Sequence, residues 1–152
     1  RGVAYERNNQ WILAEKDFLK ILELVPDQPD VLNYLGYSWI EQNTNLDKAK
    51  KYILKAVAIK PRDPYIVDSL GWAYFNLKEY DKAVKELEKA INLKPTDQII
   101  NDHLGDAYLK VNRELEAIYQ WKKAIDFKPE NDLEKKIEKK IKKYDNNQLN
   151  LL

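Results

Sequence analysis

Val67-Asp68-Ser69-Leu70-Gly71-Trp72-Ala73-Tyr74 holds one of only four glycines in a chain of 152 residues, and the others are Gly2, Gly36 and Gly105, so that successive glycines stand 34, 35 and 34 residues apart. A period of that length marks a stack of repeated units. Three residues after each glycine comes an aromatic, Tyr5, Trp39, Tyr74 or Tyr108, and Leu35, Leu70 and Leu104 precede the last three glycines. Further on stand Ala14, Ala49, Ala83 and Ala117, then Ile21, Ala56, Ala90 and Ala124, then Pro26, Pro61, Pro95 and Pro129.

Helix packing explains this order of residue sizes. Gly and Ala belong where two helices cross, because a small side chain lets the backbones approach, and the aromatic fills the space beside them. A second apolar position, Phe18, Ile53, Leu87 or Trp121, occupies the facing helix. One pair of short helices cannot bury its apolar stripe alone, so each pair uses the next as its second wall. The predicted fold is all-α, a right-handed solenoid of four helix-turn-helix units: residues 1–28 with a truncated first helix, 29–63, 64–96 and 97–129.

Turn chemistry supports those limits. In Pro61-Arg62-Asp63-Pro64 the first proline ends a helix, Asp63 suits the N-cap and Pro64 the first helical position; Asp97 after Pro95-Thr96 serves likewise. Within units, Asn45 and Asn112 are expected at helix starts. The second unit has one extra residue between Gly36 and Ala49, which the turn Glu41-Gln42-Asn43-Thr44-Asn45 absorbs. Beyond Pro129 the repeat stops. Leu133, Ile137 and Ile141 at four-residue spacing predict a capping helix over 130–144, with Lys135, Lys136, Lys139, Lys140, Lys142 and Lys143 in water. Residues 145–152 read as a flexible tail, in which Leu149, Leu151 and Leu152 are available for docking.

The 26 Lys and Arg residues against 25 Asp and Glu give a formal net charge of +1, so no overall field draws the chain to nucleic acid or anionic lipid. The lysines of the last helix are interrupted by Glu134 and Glu138, which also argues against nucleic acid. No apolar run approaches the roughly 20 residues that span a bilayer, and no direct membrane contact is expected. With no cysteine there is neither a disulfide framework nor a thiolate metal site. With no methionine, and with Arg1-Gly2 falling inside an expected helix, the chain reads as a piece of a longer protein.

Helical periodicity about the buried glycines sets the concave face of such a stack. Positions three before, one after and four after each glycine fall there: Asn33, Tyr37 and Ile40; Asp68, Trp72 and Phe75; Asp102, Asp106 and Leu109; and in the first unit Val3 and Glu6. Tyr37 and Trp72 are not needed for packing, since Trp39 and Tyr74 already fill the helix crossing. An aromatic ladder beside Asn and Asp suits an extended peptide, the polar side chains meeting backbone N–H groups and the rings meeting side chains. Three aspartates predict a partner segment that is neutral, basic or apolar.

His103, the single histidine, stands beside Asp102 and joins this face as a hydrogen-bonding residue; no second His or Cys supports a metal. Ser69 occupies the matching position one unit earlier. A Ser-His-Asp constellation is not expected, because two parallel helices a repeat apart hold the groups too far from each other and no oxyanion donor is at hand. There is no phosphate-binding glycine loop, so neither catalysis nor any cofactor is expected.

The run L-G-x-x-[YW], A, apolar, A, P at a period of about 34, over residues 1 to about 129, resembles the tetratricopeptide family. The resemblance implies a scaffold or adaptor that holds a protein or peptide in its groove. Chaperone-binding members carry Lys, Arg and Asn there as a clamp for a peptide's terminal carboxylate; that set is missing here. Asn33-Tyr34-Leu35-Gly36-Tyr37, Val67-Asp68-Ser69-Leu70-Gly71-Trp72 and Asp102-His103-Leu104-Gly105-Asp106 further resemble bacterial members that include outer-membrane lipoprotein adaptors of a periplasmic carboxy-terminal-processing protease. That likeness, over residues 31 to about 127, implies a periplasmic, anchored setting; otherwise the expectation is cytoplasmic. Two alternatives are a self-associating architectural solenoid, and a regulatory appendage of an enzyme outside this stretch.

Overall fold

The computed structural model describes the backbone of residues 2–151 and the side chains of residues 8–145. Among these residues it has eight α-helices and no strand: α1 (Gly2–Leu24), α2 (Pro29–Glu41), α3 (Leu46–Ile59), α4 (Pro64–Asn76), α5 (Tyr80–Leu93), α6 (Gln98–Lys110), α7 (Glu114–Asp126) and α8 (Asn131–Leu151). Helices α2 and α3, α4 and α5, and α6 and α7 form antiparallel pairs, and α3 packs on α4 as α5 packs on α6. The result is a solenoid whose first-of-pair helices α2, α4 and α6 lie side by side.

Each pair closes on its glycine. A Cβ built on Gly36 would lie 2.6 Å from Ile53 Cγ1, one on Gly71 would lie 2.6 Å from Leu87 Cγ, and one on Gly105 would lie 2.5 Å from Trp121 Cδ1. No real carbon pair approaches so closely, so glycine is required at all three crossings. The alanines at both repeat positions of these pairs, Ala49, Ala83 and Ala117 with Ala56, Ala90 and Ala124, are fully buried. Trp39 and Tyr108 are buried at the aromatic position, with Tyr74 packed between two core clusters.

The turns inside the pairs share one closure. The carbonyl of the repeat aromatic accepts an N–H from five residues on: Thr44 to Trp39 at 2.9 Å, Glu79 to Tyr74 at 2.9 Å and Arg113 to Tyr108 at 2.9 Å. Just before each donor a left-handed residue turns the chain, Asn43 (φ 55°), Lys78 (φ 64°) and Asn112 (φ 63°). Asn112 therefore terminates α6, and α7 begins only at Glu114. The second unit adds a second left-handed residue, Asn45 (φ 49°), which takes up its extra position without a side-chain cap. Between pairs the expected caps form: Asp63 accepts from the N–H of Tyr65 at 2.9 Å and of Ile66 at 3.2 Å, and Asp97 from that of Ile100 at 2.9 Å.

Three expectations need correction. Residues 1–28 do not form a helix-turn-helix: α1 runs unbroken through Asn8 and Asn9, because no proline, glycine or left-handed residue interrupts it and each further residue adds a backbone hydrogen bond. Ile21 is consequently exposed. Helix α8 continues to Leu151, past the limit at 144 and through residues read as a tail; Leu149, Leu151 and Leu152 lie outside the described side chains, as do Tyr5, Val3 and Glu6. Lys140 is not in water but half-buried against α6, whereas Leu133, Ile137 and Ile141 pack inward as expected.

Replacing Gly105 by Ala relieves about 1 kcal/mol of glycine's helix penalty, but the new methyl meets the rigid indole of Trp121. The overpacking term is larger, so the variant should lose roughly 1–2 kcal/mol net in urea denaturation; stability equal to or above the parent would show that the crossing is not tight.

Candidate functional site

The side-by-side helices α2, α4 and α6 present two different surfaces along one face. Toward α2 and α4 lies an open pocket of about 350 Å³. Asn33, Tyr37 and Asp68 line it, as the periodicity predicted, together with Tyr34, Tyr65 and Ile99. These last three are about half exposed. Tyr65 and Ile99 were missed by the sequence reading although they stand six residues before Gly71 and Gly105, with Asp30 matching them before Gly36. Extending the face by one helical turn, from three before the glycine to six before it, would have found them.

Toward α6 and α8 the face is closed by its own side chains. Asp68 on α4 and His103 on α6 are both buried, with Oδ1 and Nδ1 2.9 Å apart. The Trp72 ring stacks on His103 at 3.9 Å between centroids and on Phe75 at 4.5 Å, with interplanar angles of 10° and 9°. Trp72 Nε1 donates to Glu41 Oε1 at 3.1 Å, tying α4 back to α2. Beyond the stack, Lys140 on α8 donates to Asp102 and, at 2.8 Å, to Asp106 Oδ1, and its ammonium stands 5.3 Å from the Trp121 ring. Asp106 also accepts from Trp121 Nε1 at 3.1 Å.

The ten residues expected on one binding face thus separate into three groups. Asn33, Tyr37 and Asp68 line the pocket. Trp72, Phe75, Asp102, His103 and Asp106 form the stack and the lysine contact. Ile40 is buried in one core cluster and Leu109 packs against another, as Phe75 also does, because four residues past the glycine the helix face has rotated toward its neighbours. Trp72 is therefore engaged in packing, contrary to its expected role as a spare ring. The distance argument against side-chain contact across a repeat is also overturned by the bond between Asp68 and His103. Ser69 still takes no part in it, since its hydroxyl donates to the Tyr65 carbonyl at 3.0 Å.

Electrostatics follow this division. Burial alone disfavours the imidazolium of His103, but the Asp68 carboxylate and its hydrogen bond, with Asp102 and Asp106 behind, outweigh burial and raise the pKa above the ordinary value. For Lys140, burial is likewise overcome by Asp102 and Asp106, which hold the ammonium charged. Burial and then Asp102 push Asp106 upward against the pull of Lys140. The Tyr37 phenol is raised by burial, by Glu41 and by Asp68. The expected acidic groove is accordingly countered at its α6 end and left acidic at its α2 end. Among the described residues no group of three or more His, Cys, Asp and Glu side chains is placed to hold a metal ion.

Residues 71–112 match the TPR repeat family and residues 41–63 the tetratricopeptide repeat family. Those two stretches carry tetratricopeptide repeats, and such repeats are generally protein-interaction modules. It is 38% identical over 72 residues to the TPR repeat-containing protein PA4667 of Pseudomonas aeruginosa, a stretch that makes up 47% of this chain and 12% of that protein. The chain therefore spans a small part of that relative's length. Among solved structures it resembles TTC0263, a thermophilic TPR protein of Thermus thermophilus, with TM-score 0.71, 23% identity, and 84% of this chain and 71% of that one covered. It resembles MamA of Desulfovibrio magneticus RS-1 with TM-score 0.70, 22% identity, and coverage of 86% and 73%. The first TPR of Spaghetti (RPAP3), bound to the HSP90 peptide SRMEEVD, gives TM-score 0.71, 20% identity, and coverage of 80% and 93%. At these identities the likeness shows the shared fold.

The raised pKa of His103 makes stability depend on pH in a stated direction. The contribution of the His103 and Asp68 pair is complete below the unfolded imidazole value near 6.5 and is lost as the pH rises through the higher folded value. Urea midpoints should fall as the pH is raised above the unfolded imidazole value near 6.5 in the parent, and the fall should flatten in Asp68→Asn; an equal slope in both would remove the pair as its cause.

Proposed function

We propose that the chain is a non-enzymatic scaffold or adaptor that holds an extended segment of another protein across the α2 and α4 end of the concave face. One observation carries this reading: the open pocket combines half-exposed rings, carboxylates and an amide, Asn33, whose Oδ1 is shut off from solvent and has no hydrogen-bond partner. The Asn33 amide, part-buried in the pocket wall, carries both donor and acceptor groups that suit the backbone of a bound segment. The HSP90 peptide bound to the first TPR of Spaghetti supports the use of this fold for peptide ligands. A peptide as acidic as that one would meet Asp30, Asp68 and Asp97 here, which favours a neutral, basic or apolar segment.

The adaptor resemblance of the glycine-flanking phrases fits this proposal. If it holds, the partner is a protease or a protease substrate and the work is done in the periplasm. A second reading, self-association, is favoured by α1, where Ile12 and Leu13 are each 56% exposed and Leu24 is 82% exposed. Sedimentation that stayed monomeric at high concentration would remove it.

Selection of a random-peptide display library on the parent, with counter-screening on Tyr37→Ala combined with Asn33→Leu, tests the groove reading. Selected peptides should bind the double variant at least about tenfold more weakly, the loss expected for two contact positions worth about 1.4 kcal/mol together. Peptides that bind both proteins equally, or a selection that enriches none, would contradict it.

A further inference from the structure

The open pocket differs from the rest of the face in the sign of its charges. Asp30, Asp68 and Asp97 line it, whereas no lysine, arginine or histidine does. Within the protein these carboxylates are only partly engaged. Asp68 uses Oδ1 toward His103, and Asp97 uses Oδ1 toward the Ile100 N–H. Asp30 has a long, exposed contact to Lys60 at 3.4 Å. The cations near the rim are accounted for: Lys60 lies with Asp30, and Lys94 donates to the Tyr65 hydroxyl and sits 4.7 Å from that ring's centroid. The Tyr65 ring is thus already a cation-binding surface on one face. The pocket shares its walls with Tyr34, a second half-exposed ring, and with Asn33, whose carbonyl oxygen lacks a donor.

We propose that this pocket receives an arginine side chain of the bound segment, an inference that rests on the groove reading above and specifies its ligand. A guanidinium answers each feature at once. Its five N–H donors in one plane can meet a carboxylate pairwise and supply an amide oxygen in the same plane. Its flat faces stack on tyrosine, and it is more weakly hydrated than an ammonium, so it enters a half-enclosed pocket at lower cost. Asn33 is part-buried in the same pocket wall, beside the rings and the carboxylates. At the other end of the face Lys140 already fills the corresponding role for Asp102 and Asp106. At that end the ammonium lies between both aspartates, whereas here Lys60 and Lys94 stay at the rim.

The test titrates three blocked tripeptides, glycyl-arginyl-glycine and its lysine and glutamine counterparts, into the isotope-labelled protein and follows amide shifts by NMR. The arginine peptide should shift the Asn33 side-chain amide and the backbone amides of Tyr34 and Ser69 saturably. It should bind about tenfold more tightly than the glutamine peptide, as a charge-assisted pair requires, and lose about fivefold in Tyr65→Ala, whose exposed ring is not part of the core. Circular dichroism on that variant confirms the fold is kept. Equal binding of the glutamine peptide at the same residues would overturn the arginine assignment while leaving peptide binding in place. Equal binding of the lysine peptide would overturn the guanidinium assignment in favour of a simple charge. Shifts confined to α8 and to the Asp102–Leu109 part of α6, or no shifts at all, would overturn the pocket itself, and the library selection then decides the groove reading separately.

Discussion

The close approach of the two helices in each pair, with a glycine on one against Ile53, Leu87 or Trp121 on the other, is the constraint on which the rest of this solenoid depends. Dispersion and apolar burial reward contact only at van der Waals distance. Removing one methyl from the first helix lets a large side chain of the second lie directly against its backbone. The pair then becomes a rigid slab, with the aromatic three residues after the glycine filling the far side of the crossing. Its carbonyl also anchors the turn, so one residue position links packing to chain reversal. Because each slab repeats the last, α2, α4 and α6 come to lie side by side with little freedom to vary their spacing.

That spacing lets side chains of adjacent repeats meet directly. Asp68 reaches His103 across it, and Trp72 lies flat on the imidazole while holding Glu41 of the preceding helix. Lys140 enters from the capping helix to satisfy the two aspartates of α6. A buried carboxylate without a partner is costly, and removing either partner of such a pair is more damaging than never having had it. The closed half of the face is therefore structural in character. The open half keeps half-exposed rings and carboxylates that the protein engages only in part, beside an amide oxygen without a donor, and that contrast separates a binding surface from a packed one.

Much of the architecture was legible because glycine, alanine and proline each act locally. The glycine period located the crossings, the aspartates before Pro64 and Gln98 located two helix starts, and Leu133, Ile137 and Ile141 located the inner face of α8. The first unit was misread because its alanine spacing fits the repeat while nothing at Asn8 and Asn9 stops a helix. The candidate face was legible as a row of positions but not in its division. Periodicity places Asp68, Trp72, Asp102 and Asp106 on one side of their helices; it cannot tell that His103 and Lys140, 35 and 34 to 38 residues away in sequence, will neutralise them. Ile40 and Leu109 were misassigned for a related reason, since four residues past the glycine a helix has turned far enough to face its neighbour. Tyr65 and Ile99 stand one helical turn before the positions that the glycine period marks.

The central claim is that a ligand occupies the α2 and α4 end of the face and is excluded from the α6 and α8 end. Site-specific photocrosslinking measures this most directly, with a benzoylphenylalanine placed at Tyr65 in one preparation and at Leu109 in another, each irradiated with a peptide recovered from library selection. The account predicts a covalent adduct from position 65 and none from position 109. An adduct from position 109 alone would contradict it.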